Sequence, residues 1–174
     1  MRKNVNQKEL FSGEHTIYWP DRYEAVVEYL KNGNANKENP NSLYKLNVHV
    51  IVLAACLGVV SGERLPFVEK EKKNEIPLSV FNNHDLSIFI YLVSLLSKSE
   101  PDIDLLKDLD GENKAVKVFE EYAAAGLQIL SEKYKQGSID IPFMFVTDLL
   151  NNSLNNTSGN DIELPPEEEI NLFN

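Results

Sequence analysis

Side chains able to do chemistry are few and scattered in this 174-residue chain. The histidines are His15, His49 and His84. Imidazole is the commonest metal ligand, yet no two of them stand at the His-x-x-x-His spacing that stacks a pair on one helix face. His49 falls inside an apolar helical stretch and reads as a core-edge residue. The single cysteine, Cys56, lies among Ala54, Ala55 and Leu57. With no base or cation beside it in sequence, it reads as a small buried apolar residue, and a lone cysteine excludes an internal disulfide or a cysteine-built zinc site. Gly58-Val59-Val60-Ser61-Gly62 superficially has the look of a serine nucleophile elbow. Its serine is in the wrong place for that motif, and the segment leaves a helix instead of a strand. Glycine-rich phosphate loops and dinucleotide fingerprints are absent.

Carboxylates offer little more. Asp102, Asp104, Asp108, Asp110 and Glu112 form a cluster, but Leu105-Leu106 occupies the middle of what a Ca²⁺ loop would require, so a solvated helix face is expected. Glu120 and Glu121 are adjacent on a helix and point in different directions, which argues against a general acid–base pair between them. No catalytic, cofactor-binding or metal-ligating residue is assigned, and a non-enzymatic chain is expected.

The elements that would have to position any site are mainly helical. His15-Thr16-Ile17-Tyr18-Trp19 reads as a short strand stopped by Pro20. Asp21 then caps a helix whose stripe is Tyr23, Val26, Val27 and Leu30, ended by Gly33. Residues 32–41 form an Asn-rich loop. A second helix, capped by Asn41 or Ser42, carries Leu43, Leu46, Val50, Leu53, Ala54 and Leu57, with Gly58 and Gly62 suited to its end. A loop and a charged turn around Lys70–Asn74 lead to Ile76-Pro77-Leu78-Ser79-Val80-Phe81, an extended edge segment. The third helix starts near Asn83 or Asp85 and runs to Leu96; it is apolar almost all round and is expected to be central. A short helix follows Ser99-Glu100-Pro101. The strongest helix, about Asn113 to Tyr134, presents Val116, Phe119, Ala123, Leu127, Leu130 and Tyr134, and Ala123-Ala124-Ala125-Gly126 would admit another backbone closely. A last helix opens at Pro142 and buries Phe143, Val146, Leu149 and Leu150. The expected fold is a compact, mainly α bundle of five or six helices with at most a short two-stranded β element. Residues 1–14 are a polar arm, 15–150 one domain, 151–160 a flexible linker and 161–174 an acidic tail.

Charge narrows the partners. The chain carries 17 Lys+Arg against 27 Asp+Glu, a formal net charge of −10. Residues 161–174 contribute five acids and no base, so the remainder is also acidic. Such a surface is repelled by phosphate backbones, and direct DNA binding is disfavoured. The apolar run Val48–Val60 is too short to span a bilayer and the N-terminus lacks a signal-peptide core, which together favour the cytoplasm. In the tail, Pro165-Pro166 followed by Glu167–Glu169 suits a helix start. Ile170, Leu172 and Phe173 beyond it are apolar enough to order against a basic, grooved surface on a partner or a second copy; the alternative is a solvating tail.

Several segments, taken in order, resemble a known family. These are Leu53-Ala54-Ala55-Cys56-Leu57-Gly58 followed by Ser61-Gly62-Glu63-Arg64-Leu65-Pro66, then Ile76-Pro77-Leu78-Ser79-Val80-Phe81, then Phe119-Glu120-Glu121-Tyr122-Ala123-Ala124-Ala125-Gly126-Leu127. Across roughly residues 15–150 they resemble DNA phosphorothioation-associated protein 4, a small accessory protein of bacterial systems that replace a backbone oxygen of DNA with sulfur and couple that mark to restriction. Ala125 stands where the family often has glycine. The resemblance implies an accessory role in restriction–modification and antiviral defence, with protein subunits of a modification or restriction complex as partners, or a homo-oligomer; it transfers no catalytic residue. Arg64, Glu120, Glu121 and Tyr122, with Ile170, Leu172 and Phe173 of the tail, are the expected interaction residues. A rival reading takes the strand–helix–helix order of residues 15–58 as a ribbon–helix–helix dimer that would lay its ribbon in the major groove of DNA.

Overall fold

A computed structural model describes residues 11, 14–32, 44–68, 72–96, 108–135, 146–148 and 151. The mainly α expectation holds. Strand β1 (Thr16–Pro20) runs through a 3₁₀ turn at Asp21–Tyr23 into helix α1 (Glu24–Asn32); helix α2 (Asn47–Ser61), strand β2 (Lys72–Pro77), and helices α3 (Leu78–Asn83), α4 (Ile88–Leu96) and α5 (Leu109–Lys135) follow. β1 and β2 form one antiparallel two-stranded sheet, with Ile17 opposite Ile76 and Trp19 opposite Asn74. No helix among the described residues is long and apolar enough to cross a membrane.

The molecule is organised around the α2–α5 crossing, its most extensive helix pairing. A Cβ placed on Gly58 of α2 would lie 2.9 Å from the Tyr122 carbonyl carbon of α5 and closer still to its oxygen. Reciprocally, a Cβ on Gly126 of α5 would overlap the Ala54 main chain of α2, 2.9 Å from its Cα. Both glycines therefore let backbone meet backbone where any side chain would hold the helices apart. Gly126 thus does what its alanine-rich setting suggested. Gly58 does not: it lies inside α2 and serves packing, whereas Gly62 alone takes the helix-ending conformation, with φ +70°. There Gly62 N–H donates to the Val59 carbonyl (3.0 Å) and Glu63 N–H to the Gly58 carbonyl (3.2 Å), the paired bonds of a Schellman cap.

Around that crossing the core is continuous. Phe81 of α3 meets Phe119 of α5 edge-on, both fully buried, with ring centroids 5.9 Å apart. Ser94 Oγ of α4 lies 2.7 Å from the Ile90 carbonyl and 2.9 Å from the Ala115 carbonyl, fixing α4 against α5. The expected stripes Tyr23, Val26, Val27, Leu30 and Val116, Phe119, Ala123, Leu127, Leu130 are all buried.

Several expectations are corrected. α2 starts at Asn47 after an extended, exposed Leu46 with no side-chain cap, and Tyr44 N–H donates to the Leu30 carbonyl at 3.3 Å; the expected caps Asn41 and Ser42 lie outside the described residues. Residues 33–43, with the Asn-rich loop, lie outside the described residues. The strand near Ile76 begins earlier, in the segment read as a charged turn, and ends at Pro77, whose fixed φ of −57° hands the chain to α3. Val80 and Phe81 are thus helical. The third expected helix starts later than Asn83 or Asp85, at Ile88, because a turn at His84 and Asp85, the latter at φ +57°, separates it from α3. α4 is not wrapped on all sides, since Ile88, Leu92 and Leu96 are exposed at four-residue spacing. Tyr134 is also exposed, though its ring meets Tyr29 at 4.9 Å. The ribbon–helix–helix rival needs a strand free to pair with a second copy; β1 instead pairs with β2 of its own chain and buries Ile17 and Trp19. The expected helices over 99–107 and the start of the last helix fall outside the described residues; Val146 is buried and helical.

Overpacking at a backbone contact can be relieved only by separating the helices. Gly58→Ala and Gly126→Ala are each expected to cost about 3 kcal/mol or more. That corresponds to roughly 6–12 °C in Tm for a chain of this length, measurable by calorimetry. Gly62→Ala, with open space around its Cβ, carries only the left-handed backbone strain and a smaller loss.

Candidate functional site

α5 begins with a side-chain cap: Asp108 Oδ1 accepts from Gly111 N–H at 2.9 Å. Asp110 then pairs with Lys114 one turn on, an exposed contact. Along the helix a row spaced by four, Glu112, Val116 and Glu120, is buried, and Glu112 and Glu120 reach the β1 segment at His15 and Tyr18. Glu112, Glu120 and Glu121 are all buried. An unpaired carboxylate is costly in such a place, and each of the three has a partner from a distant part of the chain.

Glu112 Oε2 lies 3.0 Å from His15 Nε2, both side chains almost wholly buried. His15 also meets Phe11 edge-on at 5.7 Å, and Phe11 stacks on Tyr91 of α4 at 4.4 Å. Burial, and then the nearby Glu112 charge, pushes the Tyr91 hydroxyl pKa above its ordinary 10.0. Glu120 Oε1 accepts from the backbone N–H of Tyr18 at 2.8 Å, covering the β1 edge that β2 does not reach. Glu121 Oε2 accepts from Arg64 Nε at 3.0 Å and, closer still, from Arg64 Nη2. The guanidinium also lies 5.6 Å from the centre of the Tyr122 ring, and Leu65 N–H donates to the Glu121 carbonyl at 3.1 Å. One short segment after the Gly62 cap is thus fastened to α5 by side chain and backbone together.

These contacts border an open cleft of about 1050 Å³ between β1, α5 and the loop that follows α2. Its walls are Glu14, His15, Thr16 and Tyr18 on the strand side, and Asn113, Val116, Lys117, Glu120 and Glu121 on α5; Phe67 and Val68 form the loop rim. Of the seven expected interaction residues, Glu120 and Glu121 line this cleft and Arg64 and Tyr122 stand behind it. Ile170, Leu172 and Phe173 lie outside the described residues. Of the acidic cluster expected to form a solvated face, Asp108 (the helix cap) and Asp110 are exposed, Glu112 is buried instead, and Asp102 and Asp104 lie outside the described residues. The cleft itself went unread, although Glu112 and Glu120 stand four residues either side of Val116, a residue assigned to the buried stripe.

Elsewhere the chemical groups are dispersed. His49 is half-buried between Tyr44 (6.0 Å) and His84 (5.6 Å). Cys56 is half-buried, and burial raises its thiol above the ordinary 9.0; burial, with Cys56 nearby, likewise raises Tyr44. Among the described residues no three His, Cys, Asp or Glu side chains come together as a metal-binding set. A family model described as DNA sulphur modification system-associated protein 4 matches residues 17–165. No curated protein and no solved structure matches the chain.

Two measurements follow from the geometry. Arg64→Ala leaves Glu121 buried without its cation and is expected to cost about 1–3 kcal/mol. Adding Glu121→Gln should restore part of that loss by removing the stranded charge, a coupling read from the double-mutant cycle in urea. Cys56, Tyr44 and Tyr91 all hold their protons more tightly when folded. Their contribution is therefore complete below the unfolded values of 9.0 and 10.0 and is lost as pH rises through the higher folded values. Tm should be flat from pH 7 to 8 and decline above about pH 9 to 10, and Cys56 should react with a disulfide reagent more slowly than free cysteine at pH 8.

Proposed function

Because the chain belongs to the DNA sulphur modification system-associated protein 4 family, we propose that it serves such a system as a non-catalytic accessory subunit, working through protein–protein contacts at the cleft beside α5. The observation that carries this reading is how the buried carboxylates of α5, in the cleft and beside it, are employed. Glu112, Glu120 and Glu121 hold His15, the Tyr18 backbone and Arg64 respectively, so each is engaged in binding one part of the chain to another. A general acid or base needs a proton path to a reacting group placed within hydrogen-bond reach. These carboxylates are placed instead where a rigid, shaped surface needs them.

Family membership ties the chain to DNA sulphur modification. The finer reading is that it supports modification or restriction of DNA, as part of antiviral defence, by contacting protein subunits rather than the duplex. Its formal charge of −10 supports this, since phosphate neutralisation by Lys and Arg supplies most nonspecific DNA affinity. A tail bearing Ile170, Leu172 and Phe173 among five acids suits a basic groove on such a subunit, and is poorly matched to the acidic cleft of a second copy.

Affinity-tagged chain recovered from its host should carry along proteins encoded by the modification or restriction genes, identified by mass spectrometry. The purified chain alone should bind unmodified duplex no tighter than about 10⁻⁴ M at physiological salt, measured by fluorescence anisotropy. Submicromolar, sequence-dependent duplex binding with no captured subunit would overturn the proposal.

A further inference from the structure

Strand β1 addresses its two sides in alternation. Leu78 N–H donates to the His15 carbonyl at 2.9 Å, and Ile17 and Trp19 stand opposite Ile76 and Asn74. In an antiparallel ladder every second residue directs its N–H and C=O at the neighbouring strand, so His15, Ile17 and Trp19 face β2. Thr16 and Tyr18 face the other way. The Tyr18 N–H accordingly goes to Glu120, and Pro77, which stands opposite Thr16, has no N–H to donate. Among the described residues, neither the N–H nor the C=O of Thr16 has a hydrogen-bond partner.

This stretch of edge forms the strand-side wall of the cleft, whose volume of about 1050 Å³ stands at the upper end of the range typical of small-molecule pockets. Glu120 covers the edge at Tyr18 and keeps that bond. From Thr16 towards the exposed Glu14 the edge stays open. Side-chain charge selects little there. Glu120 and Glu121 are already engaged by Tyr18 and Arg64, and the other charged groups of the lining, Glu14 and Lys117, are opposite in sign. The loop rim is apolar, with Val68 53% exposed beside Phe67. A strand edge offering one donor and one acceptor, beside an apolar rim, matches the main chain of an extended segment.

We infer that the cleft takes an extended segment of a partner protein as a third strand, paired through its main chain with Thr16 and laying an apolar side chain on Phe67 and Val68. The added strand lies about 4.8 Å from β1, the ordinary spacing within a sheet. Three or four residues, at roughly 3.3 Å each, are enough to run from Thr16 past Glu14. The inference rests on the protein-binding role proposed above and specifies how the partner is recognised, by backbone and apolar contact and not by charge.

The test uses the full chain, isotopically labelled for amide NMR, and an end-blocked, neutral Ser-Val-Thr-Val-Ser-Val peptide. Its control is a twin with the same side chains and every backbone nitrogen methylated, which has no main-chain N–H to donate. Binding of the parent peptide should slow hydrogen exchange at the Thr16 amide, and the twin should leave that amide unchanged. Thr16→Pro removes the open-edge N–H and spares the ladder to β2, because Thr16 makes no bond across it. Thr16→Val keeps the N–H. Thr16→Pro should weaken binding about fivefold, the net worth of one hydrogen bond, and Thr16→Val should stay within about twofold. Equal binding of parent and twin, or a Thr16 amide that exchanges as fast with peptide bound, would overturn the inference even if Thr16→Pro fails to fold. So would no binding at millimolar concentration. Capture of system subunits that persists when the Thr16 amide is not protected removes this occupant and leaves the accessory role standing. Strand pairing at Thr16 with no captured subunit removes the role and leaves the occupant.

Discussion

Two missing side chains set the dimensions of this protein. At Gly58 and Gly126 the backbones of α2 and α5 come into direct contact, each glycine lying on the main chain of a residue four positions before the other, Tyr122 or Ala54. A helix pair this close gains van der Waals contact along its whole seam, and it fixes both rotation and translation, since sliding by one residue would bring a side chain into the contact. Everything that reaches α5 is placed relative to that seam. Four residues after Gly58 the chain turns at Gly62, and Arg64 and Leu65 then arrive directly over Glu121. The turn and the ion pair depend on the crossing for their position.

α5 is also where the chain's distant segments are tied together. Glu112 is separated in sequence from His15 by 97 residues, Glu120 from Tyr18 by 102, and Glu121 from Arg64 by 57. A two-stranded sheet is marginal by itself, so the carboxylate on the open edge of β1 and the hydrophobic contacts of Ile17 and Trp19 are what retain it in a helical protein. The net gain from each polar contact is modest. The cost of leaving any of these groups buried without a partner is not, which makes the arrangement specific more than it makes it stable.

What could be read from the residues depended on whether the deciding contact was local. Helical periodicity placed the stripes of α1 and α5 because spacing in sequence maps directly onto one face. The close approach at Gly126 was signalled by three alanines before it. By contrast, Gly58 resembles a helix terminator until its neighbour across the seam is known. Pro77 could end a strand or sit within an edge, and only the pairing with Thr16 shows which. Glu120 and Glu121 could be read as pointing apart, which is correct, but not as buried, because their partners come from β1 and from the loop after α2. His15 and Glu112 carry no mutual sequence signal at all. The cleft was illegible for the same reason: its walls come from three segments whose juxtaposition is a property of the fold.

The cleft follows from a mismatch in how closely α5 can be approached. On the α2 side the limiting groups are glycine hydrogens, so the backbones touch. On the β1 side contact is made through the full length of a glutamate side chain reaching the Tyr18 N–H. A helix gripped tightly along one flank and held at arm's length along another leaves a gap that its own side chains, Val116 and Lys117 among them, do not fill. Closing that gap would require a short apolar residue at position 120, which would leave the β1 edge without its acceptor. The open space beside α5 is therefore built into the contact that secures the sheet, and a surface of that shape persists whether or not anything occupies it.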